Sequence, residues 1–440
     1  MAETRANTLI PNEPGERHAS WLELFFDLVA VAGVAQLAHL LHGEPGWRDV
    51  GLYVVLYLAF WTCWLSLTLY GNVAAERTHT RALLLGMFGL TVMAAAVHGV
   101  QEGGAGTAFA LAYVATRIVG SNAFGDRREI LLDWPTVSFT AGAVPWTVSV
   151  WVDGPARPWL WTAGVVIDLC VTFFLSKDRL LHRIQQQYAH NLRHARAGSG
   201  SPDDGATDGG GAVTVAHTDT GHLAERLGLF TIIVLGEGVY QLVDAASGAD
   251  RERGLYLTVP GAFLMLVLLW SLSLRRGRGG IPCLAEFSVR PRLLLALHCF
   301  VTGAVAALAA GLGVAVEHAD GQLPRQTGWL MAAGLGAYLL VATAVTGRTG
   351  SLGLPRLLTA ALPPLALCVA VGVTDGVGRR PAPLVWLLVL ALAWFSAGAL
   401  RDTDPGAGAG AGRGGGRGRG AAPPPRGGGR GGGGGGAARP

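Results

Sequence analysis

The sequence predicts an all-α polytopic membrane protein with about twelve transmembrane helices, arranged as two parallel six-helix repeats. Three observations support this fold class. Half of the residues are hydrophobic and only 15% are charged, against about 25% charged residues in ordinary soluble domains. Apolar runs of about 20 residues, the length that crosses a bilayer, recur along the chain. Glycine occurs 65 times, and such small residues let helices approach closely in lipid.

The first part of the chain divides into a polar segment and a membrane half. Residues 1–20 lack the basic stretch and short apolar core of a signal peptide, so we expect a cytoplasmic N-terminal segment. The first membrane half, residues 21–176, contains six apolar runs. Their approximate bounds are 21–41, 50–70, 82–101, 107–124, 134–152 and 158–176. The fourth run is the weakest, because Arg117 interrupts it.

A hydrophilic loop and a second membrane half follow. In the loop, residues 177–221, the part from Lys177 to Ala197 has apolar residues at helical spacing among Arg and His, which predicts an amphipathic interfacial helix. The rest of the loop is a Gly-rich linker. The second half, residues 222–400, again has six runs. These are approximately 222–243, 255–274, 292–316, 328–346, 355–373 and 382–400. Residues 401–440 are Gly/Arg-rich without periodicity, and we expect a disordered cytoplasmic tail.

Charge and sequence similarity support this organisation. With both termini in the cytoplasm, cytoplasmic segments hold 25 of the 34 Lys and Arg residues and external loops hold 7, as the positive-inside rule requires. An internal repeat is suggested by a shift of 205 residues. It places Phe25, Gly33 and Gln36 on Phe230, Gly238 and Gln241. Because both halves have six spans, the repeats would be parallel.

Ionisable residues inside the spans are the candidate functional residues, because charge is costly in lipid. Glu23 and Asp27 are four residues apart and share one face of the first helix. Glu23 has a structural alternative, since Ser20 and Glu23 have the spacing of a capping box. For Asp27 we favour a functional or ion-paired role.

The seventh run carries a polar stripe. His222, Arg226, Glu237 and Gln241 fall on one helix face, and Glu225 flanks it. These residues could be structural ion pairs between helices or could line a polar path.

Two further polar residues lie in other spans. Arg117 in the fourth span needs an anion, for which Asp27 or Glu237 is the expected partner, and Asp168 in the sixth span is a further isolated acid. His298 is expected to be a hydrogen-bonded structural residue rather than a ligand.

Other chemistries have little support. The five cysteines are isolated, which indicates neither a disulfide framework nor a structural zinc site. No cofactor and no metal site is expected, although His190 and His194 in the loop are one helical turn apart. The chain lacks a P-loop and any nucleophile–base motif, so we expect no enzyme. The Arg-Gly-Gly pieces of the tail lack the aromatics of RNA-binding segments, and nucleic acid is not an expected partner.

Two stretches resemble a known family. Glu23-Leu-Phe-Phe-Asp-Leu-Val29, followed by Gln36-Leu-Ala38, resembles the opening signature of the bacterial low temperature requirement A (LtrA) family. The stretch from His222 to Glu237 resembles its second signature, except that Gly238 stands where the family pattern has serine. The resemblance implies a multi-pass protein of the bacterial cytoplasmic membrane, linked by its name to growth in the cold. It implies no substrate or reaction.

Two hypotheses for function follow. In the first, the protein is a secondary transporter or ion-conducting protein that moves protons, a cation or a small solute along a path lined by the embedded carboxylates and arginines. In the second, it is a non-transporting structural, lipid-interacting or sensory membrane protein whose charges specify helix packing. The lipid bilayer is a partner in both cases, and the oligomeric state is not indicated. An enzyme acting on lipids is a third alternative.

Overall fold

The computed structural model describes residues 18–74, 80–125, 129–131, 141–174, 214–216, 218–277, 279–284, 290–350, 352–373 and 379–400. Within these ranges the chain forms twelve α-helices in succession. They are α1 Trp21–His39, α2 Trp47–Ala74, α3 Thr80–Gln101, α4 Gly106–Gly125, α5 Ala143–Val148, α6 Ala156–Phe174, α7 Thr220–Gly248, α8 Arg253–Trp270, α9 Pro291–Glu317, α10 Arg325–Thr349, α11 Leu354–Val373 and α12 Pro381–Leu400.

Each of the twelve predicted apolar runs overlaps one of these helices. Among the described residues, nine helices are long and apolar enough to cross a membrane, namely α1 to α3 and α7 to α12. The short α5 continues into a 3₁₀ turn, Ser149–Trp151, and residues 134–140 of the predicted fifth span lie outside the described ranges. The chain is therefore a polytopic helical membrane protein, and the count of twelve spans stays a prediction.

Local sequence explains where several helices begin and bend. Ser20 and Glu23 form the predicted capping box, with both reciprocal hydrogen bonds, at the start of α1. Pro291 occupies the first turn of α9, where its missing N–H leaves no bond unmade. Helix α10 ends at Gly350, whose φ of 65° suits glycine. Helix α8 continues into a π-helical segment, Ser271–Arg275, a local widening that often occurs at bends.

One element departs from the all-α prediction. Two three-residue strands, β1 Glu129–Leu131 and β2 Thr214–Ala216, pair in parallel with Ile130 opposite Val215. β-Branched residues at these positions favour an extended chain. The pair joins the segment after α4 to the segment before α7. We did not foresee it, because each strand is too short to show alternation.

The helices of the two membrane halves share a series of neighbour contacts, although, among the described residues, the contact of α2 with α4 in the first half has no comparable counterpart in the second. In the first half α1 packs on α2 and α3, and contacts then run from α3 to α4, α4 to α5, α5 to α6, and back from α6 to α2. In the second half α7 packs on α8 and α9, and contacts run from α9 to α10, α10 to α11, α11 to α12, and from α12 to α8. The two halves meet where α1 and α2 contact α7 and α9.

Small residues allow close helix approach at this centre. A Cβ atom added to Gly33 on α1 would overlap the ring of Phe60 on α2, so only glycine fits this approach. Helix α9 is buried over most of its length, whereas large apolar side chains such as Phe88 and Leu340 are exposed on the outside. An apolar exterior of this kind is what a helix bundle in lipid presents.

Several predicted segments lie outside the described residues. These are most of the N-terminal segment, the amphipathic helix and linker predicted within 177–213, the loop histidines and the tail 401–440.

Candidate functional site

A buried ion pair joins α1 and α7. The guanidinium of Arg226 donates from Nε to Asp27 Oδ2 at 2.9 Å and from Nη2 to Asp27 Oδ1 at 2.7 Å. Two parallel bonds of this kind give a specific and strong arginine–carboxylate contact. Arg226 Nη1 lies 3.1 Å from Glu23 Oε1. One arginine of α7 therefore holds both carboxylates that α1 presents on one face.

Helix α2 contributes two uncharged polar side chains. Trp64 Nε1 donates to Asp27 Oδ1 at 2.8 Å. Asn72 lies near the end of α2, and its amide nitrogen is 3.1 Å from His222 Nδ1. We refer to these side chains together as the charge cluster, which comprises Glu23, Asp27, Trp64, Asn72, His222 and Arg226.

The backbone at the start of α7 fixes the orientation of the Asn72 amide. Asn72 Oδ1 accepts from the N–H of Asp219 at 2.9 Å, and Asn72 Nδ2 donates to the carbonyl of Asp219 at 2.9 Å. The NH₂ group must therefore face His222 Nδ1, which accepts, and the ring carries its proton on Nε2. His222 Nε2 lies 3.5 Å from Glu23 Oε2. The imidazole thus links the amide of α2 to a carboxylate of α1.

Glu23 serves both roles that the sequence left open. Its Oε2 accepts from the backbone N–H of Ser20 at 2.8 Å and from the Ser20 hydroxyl at 2.9 Å, while its Oε1 faces Arg226. A Cβ atom on Gly71 would lie 3.2 Å from Glu23 Oε1, so a small residue of α2 leaves room for the carboxylate. The capping interpretation is correct but incomplete.

The charge cluster is a closed contact. Asp27 and Trp64 have no exposed surface, Arg226 is 1% exposed, and Glu23 is 4% exposed. Charges removed from water in this way are tolerated only when partners satisfy them, and here the partners come from three helices. The arrangement can hold α1, α2 and α7 in one register.

Arg117 forms a separate pair, with Asp168 rather than with the expected Asp27 or Glu237. Arg117 Nη2 lies 3.4 Å from Asp168 Oδ2, and Arg117 Nη1 donates to Ser66 Oγ at 3.1 Å. Asp168 also accepts from Tyr113 OH at 3.3 Å and from the N–H of Gly142 at 3.1 Å. The pair joins α4 to α6 inside the first half, because Arg117 faces its own six-helix unit.

The polar stripe of α7 is divided between two environments. His222 and Arg226 belong to the charge cluster, whereas Glu237 lies about 16 Å further along the helix at 1.5 Å per residue. Glu237 is half-buried and accepts from Gln241 Nε2 at 3.4 Å. Glu225 is 37% exposed and lies 3.5 Å from His18. Thus the structure does not bring Glu225, Glu237 and Gln241 to the ion pair.

His298 is a structural residue, as its isolation indicated. Its Nε2 lies 3.0 Å from the carbonyl oxygen of Leu227, and Trp61 Nε1 donates to its Nδ1 at 3.4 Å. The ring stacks on Trp64 with centroids 5.8 Å apart. The histidine therefore ties α9 to α7 next to the charge cluster.

Sequence reasoning missed Trp64 and Asn72. Trp64 lies within the uncharged run 50–70 and Asn72 lies just beyond its end, and neither side chain is ionisable, so neither stood out as a costly charge in the membrane. The sequence did contain a sign of the role of Asn72, because a carboxamide near the end of an apolar run needs hydrogen-bond partners. Among the described residues no group of three His, Cys, Asp or Glu side chains could hold a metal ion.

The fold and the intramembrane ion pairs define a multi-pass helical membrane protein. The sequence model of the bacterial low temperature requirement A protein (LtrA) family matches residues 18–397. The chain belongs to this family, as its two signatures indicated. It is also 26% identical, over 72% of its length and 74% of the relative's, to an uncharacterized protein of Rhizobium meliloti (strain 1021).

Proposed function

We propose that this LtrA-family protein is a transporter or ion-conducting protein of the bacterial cytoplasmic membrane, built from two six-helix halves that move relative to one another. The observation that carries the proposal is the charge cluster. Asp27 comes from the first helix of one half, and Arg226 comes from the first helix of the other. This ion pair therefore joins the two halves. Opening it would let the halves separate at the ends where these two helices begin.

Two equivalent halves are supported by the helix neighbours. The series of contacts from α1 to α6 recurs from α7 to α12, apart from the contact of α2 with α4. This agrees with the similarity of the sequence at a shift of 205 residues. A parallel repeat of this kind is common in transporters, in which sites lie between the halves.

Contacts between helix ends support the alternating topology of twelve spans with both termini in the cytoplasm. Asn72 of α2 bonds to Asp219 at the start of α7, and both belong to ends that the topology assigns to the cytoplasm. Thr327 bonds to the carbonyl of Gly43 at 2.9 Å, and both belong to predicted external loops. No span has to be added or removed for these contacts.

Glu237 is our candidate for binding the transported proton or cation. It is a half-buried carboxylate within a helix long enough to cross the bilayer, and its contact in the described structure is with Gln241. A carboxylate at such a position is a functional candidate by default. The charge cluster would act as the gate, and Glu237 as the binding group.

The test is flux through the full-length protein in proteoliposomes, measured under a pH gradient and under a membrane potential. We expect flux of a proton or cation that Glu237→Gln reduces. Glu102→Gln removes a carboxylate that is 69% exposed at the end of α3 and should leave the flux unchanged. Absence of flux for every ion tested, or equal flux in Glu237→Gln, would contradict the proposal.

The second candidate is a non-transporting structural, lipid-interacting or sensory protein that supports growth in the cold. The specific observation in its favour is that the charge cluster is closed and almost fully buried. In this case Asp27→Asn would lower the yield of folded protein, while the wild-type protein would conduct nothing. Flux through the folded wild-type protein separates the two candidates, because both predict that Asp27→Asn destabilises the protein.

A further inference from the structure

A groove of about 370 Å³ lies between the two membrane halves, away from the charge cluster. Helices α2, α4 and α6 of the first half and α9 and α10 of the second half line it. Its volume is in the range of about 300–1,000 Å³ that is usual for ligand sites. The function proposed above does not involve this groove.

The polar side chains that line the groove direct their hydrogen bonds into the protein. These include Asp168, whose carboxylate is held by Arg117, Tyr113 and the N–H of Gly142. Tyr53 OH donates to the carbonyl of Gly303 at 2.8 Å, and Tyr57 OH bonds to Thr302 Oγ1 at 2.7 Å. Thr62 donates to the carbonyl of Leu58 at 2.7 Å. The groove therefore presents almost entirely C–H surface. A hydrated ion or a polar solute would lose its water there without replacement.

The groove is long and narrow along the helix axes. On α2 its lining runs from Val50 to Thr62, and on α9 it runs from Ala296 to Ala307. At 1.5 Å per residue these stretches are about 18 Å and 17 Å long. One leaflet of a bilayer has a hydrocarbon depth of about 15 Å, half of the 30 Å core. The groove therefore has the length of one lipid chain.

Its side is accessible from the surrounding lipid. Val54 on α2, Phe173 on α6 and Phe300 on α9 all line the groove and are 46%, 44% and 54% exposed. Small residues of α9 and α10 form part of the opposite wall, including Ala304 and Ala337. A chain can thus enter sideways from the bilayer without leaving an apolar environment.

We propose that this groove is a binding site for a single hydrocarbon chain of a membrane lipid. Binding stabilises the contact between the two halves, because the chain touches α2 and α6 on one side and α9 and α10 on the other. The proposal does not depend on ion or solute transport. A lipid chain held in a groove differs from the surrounding lipid in its slower exchange and its fixed contacts.

The experiment uses the full-length protein in nanodiscs that contain a phospholipid with a photoactivatable diazirine in the middle of one acyl chain. Peptides are mapped by mass spectrometry after irradiation. We expect labelling on residues 50–62 and 296–307 to exceed labelling on α11, which also faces the exterior. Equal labelling of all exterior helices would overturn the proposal.

Filling the groove supplies the matched variant. Ala304→Phe should reduce labelling of both stretches to the level of α11, whereas Ala95→Phe on the exposed face of α3 should not. If Ala304→Phe does not yield folded protein, Ala337→Leu fills the groove from the same wall and should have the same effect. Labelling that persists in a folded filled variant would also overturn the proposal.

Discussion

Replacing Arg226 tests the charge cluster most directly. Arg226→Met keeps much of the side-chain length but removes three nitrogen atoms that lie 2.7–3.1 Å from carboxylate oxygens. Asp27, which has no exposed surface, would retain only the N–H of Trp64 from the described bonds. Asp27→Asn should destabilise the protein less, because Arg226 keeps its contact with Glu23. Glu23→Gln is milder still, because the paired bonds between Asp27 and Arg226 remain.

The expected magnitudes follow from this order. Breaking a buried ion pair by removing one partner destabilises a protein by about 3–5 kcal/mol. We expect Arg226→Met to lower the free energy of unfolding by about 5 kcal/mol and Asp27→Asn by about 3 kcal/mol. Glu23→Gln should cost about 1–3 kcal/mol, as for a lost hydrogen bond to a charged group. The double variant of Asp27 and Arg226 should lose less than the sum, with a coupling energy of about 1–3 kcal/mol.

The assay is equilibrium unfolding of the purified protein by SDS titration in mixed micelles, followed by tryptophan fluorescence. Glu102→Gln is the control, because Glu102 is 69% exposed and its partner His98 is 78% exposed, and it should leave the transition unchanged. An effect of Arg226→Met no larger than that of Glu23→Gln would refute the reasoning, and so would strict additivity in the double variant.

The remaining predictions concern other contacts. Gly33→Ala should destabilise the protein by about 1–3 kcal/mol through overpacking, because its Cβ would overlap the Phe60 ring. Measured by thermal unfolding, adding Phe60→Leu should restore the lost stability. A Gly33→Ala protein as stable as wild type would contradict this. Arg117→Met should lower the free energy of unfolding by about 3 kcal/mol, because it leaves Asp168 buried without its arginine. In the same SDS assay Asp168→Asn should lower it by less. The reverse order would contradict the pairing. Asn72→Ala should lower the free energy of unfolding by about 1–3 kcal/mol, because it removes two hydrogen bonds to the start of α7. Proteolytic cleavage of the loop after α6 should also become faster. An unchanged cleavage rate would argue that Asn72 does not hold the start of α7.

The membrane class and the approximate positions of the nine long apolar helices among the described residues were predictable from the apolar runs. Long apolar runs must form helices in lipid, since an isolated chain there has to satisfy its own backbone hydrogen bonds. The capping box at Ser20 was equally local, because both of its partners lie within three residues. The pair of short strands was not predictable, because each holds only three residues and is stabilised by a partner far along the chain.

The candidate site was predictable in its residues but not in its pairing. Asp27 and Arg226 stood out because charge in a span requires a partner. Which partner each takes depends on the rotation and register of separate helices, and nothing within one helix encodes these. Arg117 shows the consequence, since its partner is Asp168 and not Asp27 or Glu237.

The sequence by itself determined a polytopic helical protein of the LtrA family with buried charges at defined positions. Hydrophobicity and helix periodicity are local quantities, and lipid leaves the backbone few alternatives. Only the tertiary structure decided that Arg226 pairs with Asp27 and Glu23, and that Trp64, His222 and Asn72 join the same closed contact. It also decided that Glu237 lies apart. The reason is physical: the pairing energy of Asp27 and Arg226 exists only when residues 199 positions apart reach hydrogen-bond distance.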